Sequence, residues 1–336
     1  MSERIKWGVL GNATIARVCV IPAIGKSRNG EVQALATRSP GKAAGLVAEH
    51  GIRQLYGSYE QVLSDSDVDA VYIPLPNHLH HVWTLRALGA GKHVLCEKPL
   101  ARNAFEALEM GKAAADQGLL LMEAFMYRFH PRSREIRLWV ADGRIGTPRL
   151  VRSSFCFHME GAISGNVSTP RLEPNMGGGA LLDVGCYGVS LSRWMFGQEP
   201  TRLQAQAVRR PSGVDVHLVG LLEFPEQGIA VVEASFITAL QQTYTIVGSD
   251  GVIELPHDAF IPWEKDATFT VRRRDEETGR EYVVPGADEY QLMVEHFADA
   301  VLERTTLDFP PHDSVSNMRV LDALAEAART GETVTI

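Results

Sequence analysis

At 336 residues, 45% apolar and 22% charged, the chain has a globular composition and exceeds the size at which a single core usually stops growing, so two domains are expected. Its net charge of −8, with no basic run longer than residues 272–274, argues against nucleic acid or an anionic membrane as the main partner. Residues 1–6 are polar, no signal peptide is expected ahead of them, and no apolar run approaches a membrane span. Cys19, Cys96, Cys156 and Cys186 are far apart with no CxxC, which reads as reduced thiols in a cytoplasmic protein.

The first 123 residues alternate strand and helix patterns. Apolar runs of strand length lie at 5–10, 32–36, 70–73, 93–96 and 119–122, with helical stretches at 40–50, 59–64, 78–90 and 103–116. This order predicts a parallel, doubly wound sheet covered on both faces, an α/β Rossmann-type domain over 1–123. The pattern then changes. A helix over 132–141, a strand over 149–157, a polar loop over 159–175 and a helix over 178–195 come first. Alternating segments follow at 202–208, 214–224, 229–237, 242–247, 252–255, 268–273 and 282–284, then helices over 289–303 and 314–329. The expectation is an α+β domain over 124–336 with a large, mostly antiparallel open sheet. Its strands supply more apolar positions than its few helices can cover, so the spare face is expected to pair with another subunit, as a homodimer or homotetramer.

After the first strand comes Gly11-Asn12-Ala13-Thr14-Ile15-Ala16, a GxAxxA version of the dinucleotide fingerprint. Gly11 permits the tight turn, Ala13 lets backbone N–H groups approach a pyrophosphate, and Ala16 allows close helix–strand packing. An acidic residue at the tip of the second strand would hold the ribose of NAD. Here that tip carries Thr37 and Arg38, with Lys42 one turn on. A hydroxyl, a guanidinium and an ammonium suit a 2′-phosphate, so NADP(H) is favoured and NAD(H) is the alternative. The next tip, Pro74-Leu75-Pro76-Asn77-His78-Leu79-His80-His81, puts Asn77 where a helix N-cap belongs. Leu75, Asn77 and His80 are expected beside the cofactor. No cysteine or acidic cluster accompanies the histidines, so no metal site is expected.

The segment Gly91-Lys92-His93-Val94-Leu95-Cys96-Glu97-Lys98-Pro99-Leu100 reads as a buried strand ending in a stiff turn. A lysine at the carboxyl end of such a strand faces the crevice where open α/β sheets bind ligands. Later, Gly177-Gly178-Gly179-Ala180-Leu181-Leu182-Asp183-Val184-Gly185-Cys186-Tyr187 places Asp183 and Tyr187 on one helix face. The glycines before them let another backbone or a ligand approach.

This ordered set resembles the glucose-fructose oxidoreductase, inositol dehydrogenase and rhizopine-catabolism (Gfo/Idh/MocA) family. The resemblance rests on the Gly11 turn, Pro76-Asn77-His78-Leu79-His80, Ala90-Gly91-Lys92-His93-Val94, Glu97-Lys98-Pro99 and the run from Gly178 to Gly185. The stretch Met122-Glu123-Ala124-Phe125-Met126-Tyr127-Arg128-Phe129-His130-Pro131, and Tyr187 in place of histidine, resemble the branch of dimeric dihydrodiol dehydrogenases and NADP-dependent xylose dehydrogenases. The resemblance implies hydride transfer between nicotinamide and a carbinol carbon of a sugar or cyclic diol. Tyr187 would be the acid/base, its pKa lowered from about 10 by a Lys98 ammonium. Asp183 would orient the substrate hydroxyl or Lys98, Glu97 would pair locally beside the cofactor, and Arg128 and Arg171 would line the substrate mouth. Two other readings keep the fold: an NAD-dependent glycosidase with no net redox change, and a non-catalytic NADPH-binding sensor.

Overall fold

In a computed structural model of the protein, residues 4–165 and 167–336 are described. The polar start at residues 1–3 and Asn166 of the expected loop lie outside the described residues. The chain divides into two compact units, the first made of Met1–Phe129 and Asp288–Val315, the second of His130–Ala287 and Ser316–Ile336. Residues 288–315, which the sequence reading places in the second domain, therefore pack with the first.

The first unit contains β1 (Ile5–Leu10), α1 (Ile21–Lys26), β2 (Gly30–Ala36), α2 (Pro40–His50), β3 (Gln54–Tyr56), α3 (Tyr59–Leu63), β4 (Ala70–Ile73), α4 (Asn77–Gly89), β5 (His93–Cys96), α5 (Ala104–Gln117) and β6 (Leu121–Glu123). The strands form one parallel sheet in the order β3-β2-β1-β4-β5-β6. Strand β4 is buried at all four positions, as expected of a parallel strand with helices on both faces. The order reverses between β1 and β4, and ligands of such sheets bind outside the carboxyl ends at that switch point. Strand β3 escaped the sequence reading because its three residues are partly exposed and form no apolar run.

The second unit contains α6 (Pro131–Ala141), β7 (Pro148–Cys156), α7 (Glu160–Ile163), α8 (Cys186–Phe196), β8 (Arg202–Arg209), β9 (Asp215–Phe224), β10 (Gly228–Ser235), β11 (Gln241–Gly248), β12 (Gly251–Leu255), β13 (Ala267–Arg273) and β14 (Arg280–Val284). Helix α9 (Glu289–Val301) belongs to the first unit, α10 (Pro311–Thr330) begins in the first and ends in the second, and β15 (Val334–Thr335) closes the chain. The nine strands run β14-β13-β12-β11-β7-β10-β9-β8-β15. Only β7 and β10 pair in parallel. Gly188 of α8 lies against Ser153 and Val232, where a Cβ would come within 2.6 and 2.7 Å, and Gly220 of β9 lies against Leu324 of α10. Both helices thus cover one face of the sheet. Val219, Leu221, Ile229 and Val231 alternate onto the other face.

Helix α9 joins the first unit through contacts distant in sequence. Phe297 packs on Trp7 at 5.4 Å, Asn29 Nδ2 donates to the Glu295 carbonyl at 2.8 Å, and Arg28 pairs with Glu295 and Asp299.

Candidate active site

The first unit carries the nucleotide end. Gly11 follows β1 with φ +116°, and its N–H donates to the Ala36 carbonyl at 2.9 Å, tying the tips of β1 and β2. Such a φ favours glycine. A Cβ there would also lie 3.0 Å from Leu75 Cδ2 at the tip of β4. Helical backbone begins at Thr14 and passes through a π-helical turn, Ala16–Val20. The first N–H groups of a helix lack intrahelical acceptors and suit an anion. Two side-chain atoms at these strand tips, Asn12 Oδ1 and His78 Nδ1, are buried without a hydrogen-bond partner among the described residues. Such atoms fit a site completed by a ligand.

At the tip of β2, Thr37 is buried and its Oγ1 accepts the Ser39 N–H at 3.2 Å, whereas Arg38 and Lys42 are exposed. Burial raises the pKa of the neighbouring Tyr59 phenol, and the Arg38 charge opposes that rise. The acid of this strand, Glu31, pairs with Arg53 at 3.1 Å. It sits near the strand's amino end, so no carboxylate of β2 marks the tip.

Strand β5 delivers Glu97 and Lys98, with Lys98–Pro99 cis. Glu97 accepts the Tyr72 hydroxyl at 2.5 Å and the Lys98 N–H at 3.3 Å. Burial, then the Glu97 charge, push the Tyr72 phenol well up. His80 is 0% exposed. Its Nδ1 lies 2.9 Å from the Pro99 carbonyl oxygen and its Nε2 2.7 Å from that of Leu75. His80 therefore joins two strand-tip loops. Asn77 is the first residue of α4 rather than its cap, which is Pro76.

Glu123, at the end of β6, is 1% exposed and accepts the Leu100 N–H at 2.8 Å. Burial pushes its carboxyl up to about 7, against the Ser314 hydroxyl, the Leu100 N–H and the Arg128 charge. Arg128, expected at a substrate mouth, is instead only 6% exposed. It pairs with Asp313 at 3.0 Å and lies over the Phe309 ring. Both partners come from residues 288–315, which the sequence reading assigned to the other domain.

In the second unit, the three glycines before Ala180 have separate jobs. Gly177 and Gly179 adopt φ +74° and +131°. A Cβ on Gly178 would lie 2.6 Å from the Arg171 carbonyl oxygen, and one on Gly179 2.2 Å from Asp215 Oδ1. The Gly179 N–H donates to the Arg171 carbonyl at 2.9 Å, and the Gly178 N–H to that of Glu173 at 3.0 Å. The glycine run thus lets the Arg171 segment lie directly on it. Arg171 Nε then reaches Asp183 Oδ2 at 2.8 Å.

Asp183 sits in a second π-helical turn, Leu181–Gly185, which leads into α8. Such turns recur at functional sites. Asp215 Oδ2 accepts the Leu181 N–H at 2.7 Å at the start of this run, and burial raises its pKa. Tyr187 is 3% exposed, with its ring 5.1 Å from Phe155 and 5.4 Å from Phe260.

Within the first unit the structure groups Gly11, Asn12, Ala13, Thr14, Ile15, Thr37, Arg38, Lys42, Leu75, Asn77, His80, Glu97 and Lys98 at the carboxyl ends of β1, β2, β4 and β5. Within the second it groups Arg171, Asp183 and Tyr187. Sequence reasoning missed Glu123 and Asp215 as supports. An acid closing the apolar run 119–122 was a visible sign of the first. Asp215 stands at the start of an ordinary alternating strand and gave none. Among the described residues no group of three or more histidine, cysteine or acidic side chains is placed to hold a metal ion. No described helix is long and apolar enough to cross a membrane.

Known proteins align with this arrangement along the whole chain. Residues 5–125 match the family model described as an oxidoreductase family with an NAD-binding Rossmann fold, and residues 133–254 match the GFO/IDH/MocA C-terminal domain. A D-xylose 1-dehydrogenase (NADP(+)) of Haloferax volcanii is 40% identical over 98% of each chain. A trans-1,2-dihydrobenzene-1,2-diol dehydrogenase of Xenopus tropicalis is 33% identical over 76% of this chain and 77% of its own. The crystal structure of a 3-ketoreductase from Actinomadura kijaniata, solved with NADP and TDP-benzene, superposes with a TM-score of 0.88 at 32% identity, covering 97% of this chain and 98% of the other.

Proposed function

This chain belongs to the GFO/IDH/MocA family of oxidoreductases and is an NAD(P)-dependent enzyme, and from that premise we propose that it is an NADP-dependent dehydrogenase or reductase acting on a CH–OH carbon of a sugar or related cyclic polyol. The observation that carries this reading is the helical run that presents an arginine-paired carboxylate, Asp183, together with a phenol, Tyr187. A carboxylate can accept from a substrate hydroxyl while a phenol exchanges a proton with it.

The strand tips of the first unit would hold the cofactor. The Gly11 turn and the helix start after it would take the pyrophosphate. Thr37, Arg38 and Lys42 would take a 2′-phosphate, and the absence of a β2 carboxylate at that tip supports NADP over NAD. When bound, nicotinamide supplies the hydride acceptor or donor. In the oxidising direction Tyr187 Oη takes the hydroxyl proton as the C–H bond breaks, and in the reducing direction it returns that proton to the carbonyl oxygen. The reading gives Lys98 the part of a positive charge that would favour the phenolate. Asp183 orients the substrate hydroxyl, and Arg171 holds Asp183.

The reading includes a homodimer or homotetramer formed through the second unit's sheet, supported by the apolar positions on its uncovered face and checked by light scattering at micromolar concentration. It also includes a cytoplasmic setting, supported by Cys19, Cys96, Cys156 and Cys186 forming no disulfide among the described residues. A panel of aldoses, inositols, diols and keto-sugars with NADP and NADPH, followed at 340 nm, tests the activity. Glycoside cleavage without net absorbance change would favour the glycosidase reading. Cofactor binding with no turnover across the panel would favour the sensor.

A further inference from the structure

The two residues that follow Lys98 are each gripped by a buried titratable side chain. His80 Nδ1 meets the Pro99 carbonyl oxygen at 2.9 Å, and Glu123 Oε1 accepts the Leu100 N–H at 2.8 Å. The grips come from different elements, α4 and the end of β6, so they hold the turn from two directions. Burying an imidazole and a carboxyl is unfavourable unless hydrogen bonds compensate. At each residue one of those bonds goes to the Lys98 turn. The other nitrogen of His80 reaches the Leu75 carbonyl oxygen, which ties the turn to the tip of β4. The charged or titratable groups facing Glu123 include Arg128, Asp313 and Cys96, and Lys98 faces His80.

We propose that His80 and Glu123 are positioning residues for Lys98, fixing the peptide units after it and so the place its ammonium group can reach. The inference rests on the reading of Lys98 as part of the catalytic machinery. Lysine carries its ammonium on a flexible four-carbon stem, so its backbone anchor sets the volume it samples. A misplacement of about 1 Å at a reacting group costs on the order of a hundredfold in rate.

The test uses Glu123→Ala, Glu123→Gln and His80→Leu, each alone and with Lys98→Met. In the cofactor-free protein, Glu123→Ala should speed hydrogen exchange at the Leu100 amide by tenfold or more relative to peptides elsewhere, since its acceptor is gone. Its kcat should fall by roughly 10- to 100-fold while the Kd for NADPH changes less than about threefold. Glu123→Gln keeps an oxygen acceptor and should restore both readouts to within about threefold. In the Lys98→Met background Glu123→Ala should add nothing. An equal fall of kcat in both backgrounds, or a lowered Tm with kcat unchanged, overturns the proposal. Lys98→Met retaining wild-type kcat would instead sink the reading of Lys98 on which the proposal stands. If Glu123→Ala does not fold, His80→Leu reads the other grip by the same measurements and the same criteria.

Discussion

Gly178 and Arg171 are in backbone contact: a Cβ on the glycine would lie 2.6 Å from the arginine carbonyl oxygen. The missing side chain is what lets the Arg171 segment lie on the glycine run and brings its guanidinium to Asp183. Gly178→Ala should therefore cost about 1–3 kcal/mol of stability through overpacking against backbone. It should also raise KM for the proposed sugar-like substrate while leaving NADPH affinity nearly unchanged, because the displaced residues lie in the second unit and the proposed cofactor site in the first. Urea unfolding and steady-state kinetics measure the two effects. Wild-type stability and KM in this variant would refute the packing argument.

The cofactor prediction concerns the tip of β2. Arg38 is exposed beside buried Thr37, with no acid of that strand at the tip. Arg38→Ser should raise KM for NADP by about 10- to 100-fold, the loss of a charge-assisted phosphate contact of about 1.5–3 kcal/mol, and change that for NAD far less. A wild-type enzyme that prefers NAD would remove the basis of this prediction.

Tyr187→Phe keeps the ring that packs on Phe155 and Phe260 and removes the hydroxyl that carries the proposed transferable proton. It should lower kcat by roughly 10²–10⁴ with NADP binding nearly unchanged. Lys98→Met should do similar harm, and under the proposed shared role the double variant should be little worse than the worse single one. A deuterium isotope effect on the best substrate establishes that chemistry is rate-limiting. Retention of more than about a third of kcat by Tyr187→Phe under that condition is incompatible with an acid/base phenol.

Glu123 makes stability depend on pH. Its carboxyl is raised from 4.5 to about 7, chiefly by burial. Between those values the folded state binds the proton more tightly than the unfolded state, so stability falls as pH rises, by about 3 kcal/mol at most. Glu123→Gln carries no such penalty. It should match wild type near pH 4 and exceed it progressively up to pH 7, with a constant difference above that. Denaturant melts of both proteins at several pH values measure the gap. A gap that does not change with pH would show that folding leaves the Glu123 carboxyl at its unfolded pKa.

How much of this was legible in the chain follows from the range of each interaction. The doubly wound sheet, the Gly11 turn, the stiff Lys98 turn and the helical run holding Asp183 and Tyr187 are written in neighbouring residues. Apolar period, turn chemistry and helix spacing are local properties, so the sequence by itself determined them. What only the tertiary structure decided depends on contacts distant along the chain. Phe297 on Trp7 and Glu295 on Asn29 place α9 in the first unit. Asp313 and Phe309 bury Arg128, which the sequence alone left as a candidate for the substrate mouth. Asp215 meets Leu181, and Glu123 meets Leu100, each across a fold that no local period encodes. A buried charge or polar group must find its partner wherever packing brings one. The catalytic candidates were therefore readable as residue types at known spacings, while the groups that hold them still emerged only once the strands and helices were packed.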